Sequence, residues 1–146
     1  MNEQTIKHLG FIQAVITRLA QNSFAYKGWS ITLVAAIFAL AIKEASLQYP
    51  LILIALLPTV AFWGLDAYYL RQERLFRKLY DAIRKAAQAD LEANPFTMDT
   101  SLYDTQVPSW WSTCWSKTIG WLYGPITLII LLVTGLAYAW HYAKGG

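Results

Sequence analysis

Charge is scarce in this 146-residue chain: there are 12 Lys and Arg and 9 Asp and Glu, 14% of residues together. A soluble domain carries nearer a quarter. Cysteine is scarcer still. The single Cys114 excludes an internal disulfide framework and offers no metal cluster. The two histidines, His8 and His141, fall on opposite sides of the membrane in the topology derived below, so they share no site. The chain has no HExxH, no GxSxG and no glycine-rich loop able to cradle a phosphate. These absences point away from an enzyme, and no metal, cofactor or duplex nucleic acid is expected. A cleavable signal peptide is not expected either, because the first apolar run starts well inside the chain and no small-residue cleavage site follows a short apolar core.

What the chain has in quantity is apolar and aromatic residues, 56% and 15%. They fall into three runs: Gly28 to Ile42, extendable back to Phe24; Tyr49 to Leu70; and Ile119 to Tyr142. A hydrocarbon layer about 30 Å thick needs roughly 20 residues of helix. The second and third runs reach that length, and the first does so with Lys27 snorkelling to the interface. The expectation is a single all-α membrane domain over 1–146, with spans at 24–43, 50–70 and 118–142.

Basic residues beside the spans set the orientation. Lys7, Arg18 and Lys27 precede the first span, and Arg71, Arg74, Arg77, Lys78, Arg84, Lys85 and Lys117 lie between the second and third. The loop after the first span has Lys43 offset by Glu44, and the tail has only Lys144. The N-terminus and the long middle segment are therefore expected in the cytoplasm, with the C-terminus outside, in the periplasm of a bacterial inner membrane. Trp29, Trp63 and Trp110 to Trp121 mark the inner interface, and Trp140 and Tyr142 the outer one.

The cytoplasmic parts show helical periodicity. Residues 5–22 read as an amphipathic helix with Ile6, Leu9, Ile12, Val15, Ile16 and Leu19 on one stripe. It either lies on the membrane or feeds straight into the first span. The second span meets no breaker until Asn94-Pro95, so one long helix is expected from Pro50 to about Ala93, its basic half covering 71–93. The apolar stripe of that half, Leu75, Phe76, Leu79, Tyr80 and Ile83, is expected to pack on the N-terminal helix or on a neighbouring subunit. Glu73 is expected to pair with Arg77, and Asp81 with Arg77 or Lys85. Residues 94–117 read as a loop followed by a Trp-rich interfacial segment, "SWWSTCW".

One acid sits inside an apolar run. Asp66 lies about a turn from the inner interface, and its helical neighbours Phe62, Trp63, Tyr69 and Leu70 supply no base. A charge at that depth needs a partner. Lys27, Asn22 or Ser23 before the first span, and Lys117 or Ser116 before the third, stand at the same level. Two roles fit: a structural pin between helices, or a carboxylate facing an ion path.

The third span carries a small or polar face: Gly120, Gly124, Thr127, Leu131, Thr134, Tyr138 and His141. Gly120 and Gly124 form a GxxxG pair, which lets helices approach closely. A ring of copies could also line a pore with Thr127, Thr134 and Tyr138, constricted at Leu131. Pro58 beside Thr59 makes a kink plausible in the second span.

Three stretches, Asn22 to Ala41, "FWGLDAYYLRQERLFRKLY" (Phe62 to Tyr80) and Ser116 to Ile126, resemble the RipA-like proteins. These are small bacterial inner-membrane proteins named for a factor required for intracellular proliferation and described as homo-oligomeric. The resemblance covers most of the chain and implies self-assembly without catalytic residues. In architecture alone, the chain also resembles membrane effectors of nucleotide-signalling anti-phage systems.

The expectation is thus a closed homo-oligomer of at least four chains. It would act as a channel or pore-type effector gated from the cytoplasm by a nucleotide-like ligand or a partner, or as a non-conducting scaffold for envelope stress or partner organisation. The basic face of Arg71, Arg74, Arg77, Lys78, Arg84 and Lys85 would meet anionic lipid or a phosphate-rich cytoplasmic ligand.

Overall fold

A computed structural model describes residues 3–43, 49–86 and 96–145. Among them there is no strand. Five α-helices follow in order: α1 Glu3–Lys43, α2 Tyr49–Ile54, α3 Leu56–Lys85, α4 Trp110–Cys114 and α5 Lys117–Gly145, with a 3₁₀ turn at Ser101–Gln106 before α4. Three stretches are long and apolar enough to cross a membrane: α1, the α2–α3 pair and α5.

The N-terminal amphipathic segment runs without a break into the first apolar run, giving a helix of 41 residues. At 1.5 Å per residue it is about 61 Å long, twice the thickness of a hydrocarbon layer. One helix thus has two solvents to satisfy, and its composition changes to match. Residues 28–42 carry no charge, whereas the first half carries Glu3, Lys7 and Arg18.

The second run divides at Ala55. Pro58 lacks the N–H that would bond the Ile54 carbonyl, so the helical ladder loses a rung there. The chain tightens instead, with Ala55 N–H donating to Ile52 O at 3.0 Å. The Ala55 carbonyl then accepts from Thr59 N–H at 3.4 Å and from Thr59 Oγ1 at 2.8 Å. The helix expected to kink beside Pro58 is interrupted at Ala55, three residues before it. At its other end α3 stops at Lys85, where Ala86 turns extended and its N–H bonds back to Ile83 O. The helix expected to continue to Ala93 ends earlier. Its last residues and the Asn94-Pro95 stop lie outside the described residues, as does most of the loop after Lys43.

α3 packs antiparallel on α1 over most of its length, and the helices build three cores, the middle one joining Ala67 of α3 to Cys114 of α4 and Ile119 and Tyr123 of α5. At the polar end, Leu9, Ile12 and Ile16 of α1 meet Leu79 and Ile83 of α3, with Phe76, Tyr80 and Tyr103 at the edges. Leu9, Ile12 and Ile16 of the first stripe are buried against the second, whereas Val15 and Leu19 are half-buried and Ile6, read on the same stripe, is 55% exposed. At the far end of the apolar half, Val34 and Ala41 pack with Ile52 and Ala55 and with Ile130 and Ala137 of α5. The inward face of α5 is Ile119, Tyr123, Ile130, Thr134 and Ala137. Elsewhere the apolar helices turn outward: only 17%, 28% and 22% of the three span windows is buried. Exposed Leu33, Leu40, Leu57, Val60, Leu128 and Leu136 form a surface that water solvates poorly and lipid well.

The connection from α3 to α5 folds back on α3. Asp99 Oδ1 accepts from Ser101 N–H at 2.8 Å and starts the 3₁₀ turn, and that bond holds the Asp99 carboxyl below its usual range. At the polar end of the α1–α3 pair, which forms an arm beyond the apolar halves, His8 Nε2 lies 2.8 Å from the Thr97 carbonyl, which can only accept, so Nε2 carries the proton. Phe96 sits in the left-handed region at φ 61°, a costly conformation for a residue with a Cβ. Its ring lies 5.5 Å from His8 and 6.1 Å from Phe11.

Candidate functional site

The site grows from Asp66, which has no solvent exposure. α1 brings two groups to it from one face, four residues apart. Ser23 Oγ donates to Asp66 Oδ1, and Lys27 Nζ lies 2.6 Å from Oδ2. Lys27 also donates to Ser23 Oγ at 2.9 Å, so the three side chains close a triangle. α5 contributes Tyr123 at this level, fully buried against Trp63 and Ala67 of α3, its hydroxyl without a hydrogen-bond partner among the described residues. The Asp66 charge is thus answered by α1 and enclosed on the other side by α5. Of the partners expected for Asp66, Lys27 and Ser23 fill the role. Asn22 and Lys117 are exposed, and Ser116 Oγ, although buried, has no hydrogen-bond partner among the described residues.

Ser30 and Thr59 are fully buried along the same α1–α3 interface. Thr59 satisfies its hydroxyl on Ala55 O, and Ser30 Oγ finds no partner among the described residues.

A Trp-rich layer locks the level of Asp66 from outside. Trp63 Nε1 donates to Cys114 O at 2.8 Å, and Trp110 Nε1 donates to Gly64 O at 3.0 Å. These reciprocal bonds clamp α4 onto α3. Gly64 permits the approach, since a Cβ there would lie 3.3 Å from Trp110 Cζ2. Trp63 stacks on Tyr123 at 5.9 Å and 7°. Cys114 is enclosed in this layer, and burial pushes its thiol pKa up.

The small or polar face read on the third span does not stay together. Thr134 turns into the bundle at 8% exposure, Thr127 is half-buried, and Leu131 and Tyr138 face outward at 50% and 52%. Both threonines donate Oγ1 to their own helix, Thr127 to Tyr123 O at 2.8 Å and Thr134 to Ile130 O at 2.7 Å. Bonded back in this way they present methyl groups, and the face is less polar than its residue names suggest. Gly120 and Gly124 remain open: a Cβ at Gly124 would meet nothing within 4 Å, and one at Gly120 only Trp115 O at 3.9 Å.

The basic residues of α3 differ in what holds them. Arg71 is committed to the segment before α4, with bonds to Asp104 Oδ1 at 2.7 Å and Pro108 O at 3.1 Å. Arg77 pairs with Glu73 at 2.7 Å, as the i,i+4 spacing predicts. Asp81 pairs with Arg84 at 3.6 Å rather than with Arg77 or Lys85. Arg74, Lys78 and Lys85 have no ion pair among the described residues. His8 and His141 stand at opposite ends of the molecule, and the described residues contain no group of His, Cys, Asp and Glu able to hold a metal ion.

Tyr123 and the Gly64–Trp110 contact escape a sequence reading centred on charge. Ile119, Tyr123, Ile126 and Ile130 recur at steps of four, three and four, which marks an inward stripe and signals Tyr123. No residue pattern signals Gly64, because its role depends on a helix folding back from 46 residues away.

No protein-family model, curated protein or solved structure matches this chain. The likeness to RipA-like proteins therefore rests on the three sequence stretches alone.

Proposed function

We propose that this chain is a non-conducting scaffold of the bacterial inner membrane, self-associating through α5 and presenting the α1–α3 arm to the cytoplasm. The observation that carries this reading is the fate of the Asp66 charge. Lys27 neutralises it inside its own protomer, and the carboxylate has no exposure to any surface a neighbouring copy could line. An ion path needs a charge or dipole that ions can reach. A rigid arm zipped by its own apolar core suits the display of a fixed surface to partners. The basic residues at its root favour the cytoplasmic side for the arm and the periplasm for the C-terminus.

A second reading, a pore-type effector gated from the cytoplasm, is favoured by Leu131, Tyr138 and the open Gly120–Gly124 edge. Leu131 is half-exposed, Tyr138 keeps an outward edge while its ring packs on Tyr49, and the glycine edge is open, so a ring of copies could place them around an axis. A nucleotide-like trigger of the anti-phage type belongs to this second reading only. Ion flux through liposomes holding the purified protein separates the two. Flux at the lipid baseline is expected. Discrete channel currents that Leu131→Asp alters, while Asp66→Asn leaves them unchanged, would replace the scaffold with a pore.

A further inference from the structure

A second site lies on the arm, just beyond the apolar half. A groove of about 240 Å³ runs between α3 and the chain segment 106–108, with Arg74, Arg77, Lys78 and Asp81 on the helix side. That volume is below the range of about 300–1,000 Å³ usual for drug-sized ligands, and it suits a small charged group.

The charges in the groove are unequal. Arg77 is held by Glu73. Asp81 stands at the distal end and shares Arg84. Arg74 and Lys78, one turn apart on the same face, make no ion pair among the described residues, and the one acid lining the groove, Asp81, pairs with Arg84. The opposite wall is uncharged, formed by Gln106, Val107 and Pro108. Arg71 ties that wall to α3 by donating to Pro108 O and Asp104 Oδ1.

Position decides what would enter. Arg74 lies four residues beyond Leu70, where the apolar run ends, about 6 Å along the helix. The headgroup layer on each side of a bilayer is about 5–8 Å thick. Arg74 thus stands at headgroup depth; Lys78 lies about 12 Å beyond Leu70, its side chain leaning back toward the helix N-terminus and so toward the headgroups, and the acid at Asp81 lies about 10 Å farther from the hydrocarbon than Arg74. A single phosphate entering from the membrane meets the cations first. A polyphosphate reaching up the groove would meet Asp81.

We propose that Arg74 and Lys78 form a phosphate-binding site that takes the phosphodiester of an anionic phospholipid headgroup, with Val107 and Pro108 covering its glycerol side. The inference rests on the membrane reading above. Bound lipid would couple arm to bilayer, because Arg74 and the segment anchored by Arg71 would share one ligand.

The experiment uses the full chain in nanodiscs of phosphatidylcholine mixed with phosphatidylglycerol, with phosphatidylglycerol retained per chain counted by native mass spectrometry. Wild type is expected to retain phosphatidylglycerol above its share of the bilayer. Arg74→Gln and Lys78→Gln should each lower retention by roughly fivefold, the factor for about 1 kcal/mol per basic residue. Arg74→Lys should keep most of it. Lys85→Gln, farther along the arm, should change nothing. Equal loss from Lys85→Gln and Lys78→Gln would mean a diffuse field and overturn the site, as would retention unaffected by either groove variant. Inorganic pyrophosphate added to discs of phosphatidylcholine alone distinguishes the source. Binding that needs Arg74 and Lys78, with no phosphatidylglycerol retention, keeps the phosphate site but assigns it a soluble ligand and overturns the lipid. A chain that never enters discs overturns the membrane reading instead. Circular dichroism of each variant shows that it is folded, and the Gln variants keep the aliphatic stems that cover α3.

Discussion

Lys27 Nζ lies 2.6 Å from Asp66 Oδ2, joining a lysine that keeps 23% of its side chain exposed to a carboxylate that keeps none. The asymmetry matters. Lys27 reaches the interface with part of its stem and so can lose its partner at modest cost. Asp66 has no such exit and would be stranded. Removing one member of a buried pair costs about 3–5 kcal/mol, whereas replacing both with apolar groups is often neutral. Lys27→Met should therefore lower thermal stability in detergent by about that amount, Asp66→Leu by less, and the double variant by less than the Lys27→Met single. A double-mutant cycle from melting curves measures the coupling. Additive losses would show that the two charges are independently solvated.

The clamp of α4 on α3 makes Cys114 a reporter. Because burial raises its thiol pKa, maleimide should label Cys114 in the folded protein only slowly at neutral pH, and faster as pH rises toward that raised value. Gly64→Leu puts a side chain where Trp110 now sits, so it should lift α4 and speed labelling at least tenfold. Gly64→Ala should have a small effect, since the gain of roughly 1 kcal/mol in helix propensity offsets the 3.3 Å contact. Unchanged labelling in Gly64→Leu would detach α4 from α3.

Ile12 is fully buried in the arm, and Leu79 keeps 2% of its surface. Truncating either to Ala should cost about 2–5 kcal/mol. The loss should appear as faster proteolysis of residues 3–22 and 71–86, while the apolar half stays protected. Equal cleavage of wild type and variants would mean that the two halves of the arm are not zipped.

Topology follows from the placement of the basic residues. An alkaline phosphatase fusion after Gly146 should be active, and one inserted near Thr100 inactive. The reverse pair of signals would invert the orientation and move the arm to the periplasm.

Self-association should depend on the open edge of α5. Gly124→Leu fills a position where a Cβ meets nothing in the protomer, so the fold should tolerate it. An assembly of four or more chains packed through that edge should weaken, because close helix approach is blocked. Light scattering with the detergent mass subtracted reads the result. A monodisperse wild-type monomer would remove the oligomer from the proposal.

The three apolar runs were legible in the residues themselves, because hydrophobic length and charge exclusion are local properties that a membrane reads one segment at a time. The partners of Asp66 were legible as well. An acid with no base on its own helix must be answered from another segment at the same depth, and Lys27 and Ser23 were among the few that qualified. The helix periodicity also marked the two amphipathic stripes, but not that they face each other. Residues 5–22 and 71–85 bury one another only because α1 continues unbroken through Ser23–Lys27 and α3 runs back alongside it. The seven-residue face of α5 was split for the same kind of reason. Packing in the bundle takes Thr134 inward, sets the Tyr138 ring against Tyr49 of α2 and leaves Leu131 half-exposed, a choice made by neighbouring helices and not by the sequence of α5. The Gly64–Trp110 contact and the Arg74–Lys78 groove depend on a return of the chain over more than 30 residues. Short-range pattern carries no information about which surfaces such a return brings together, so these were decided by the tertiary structure alone.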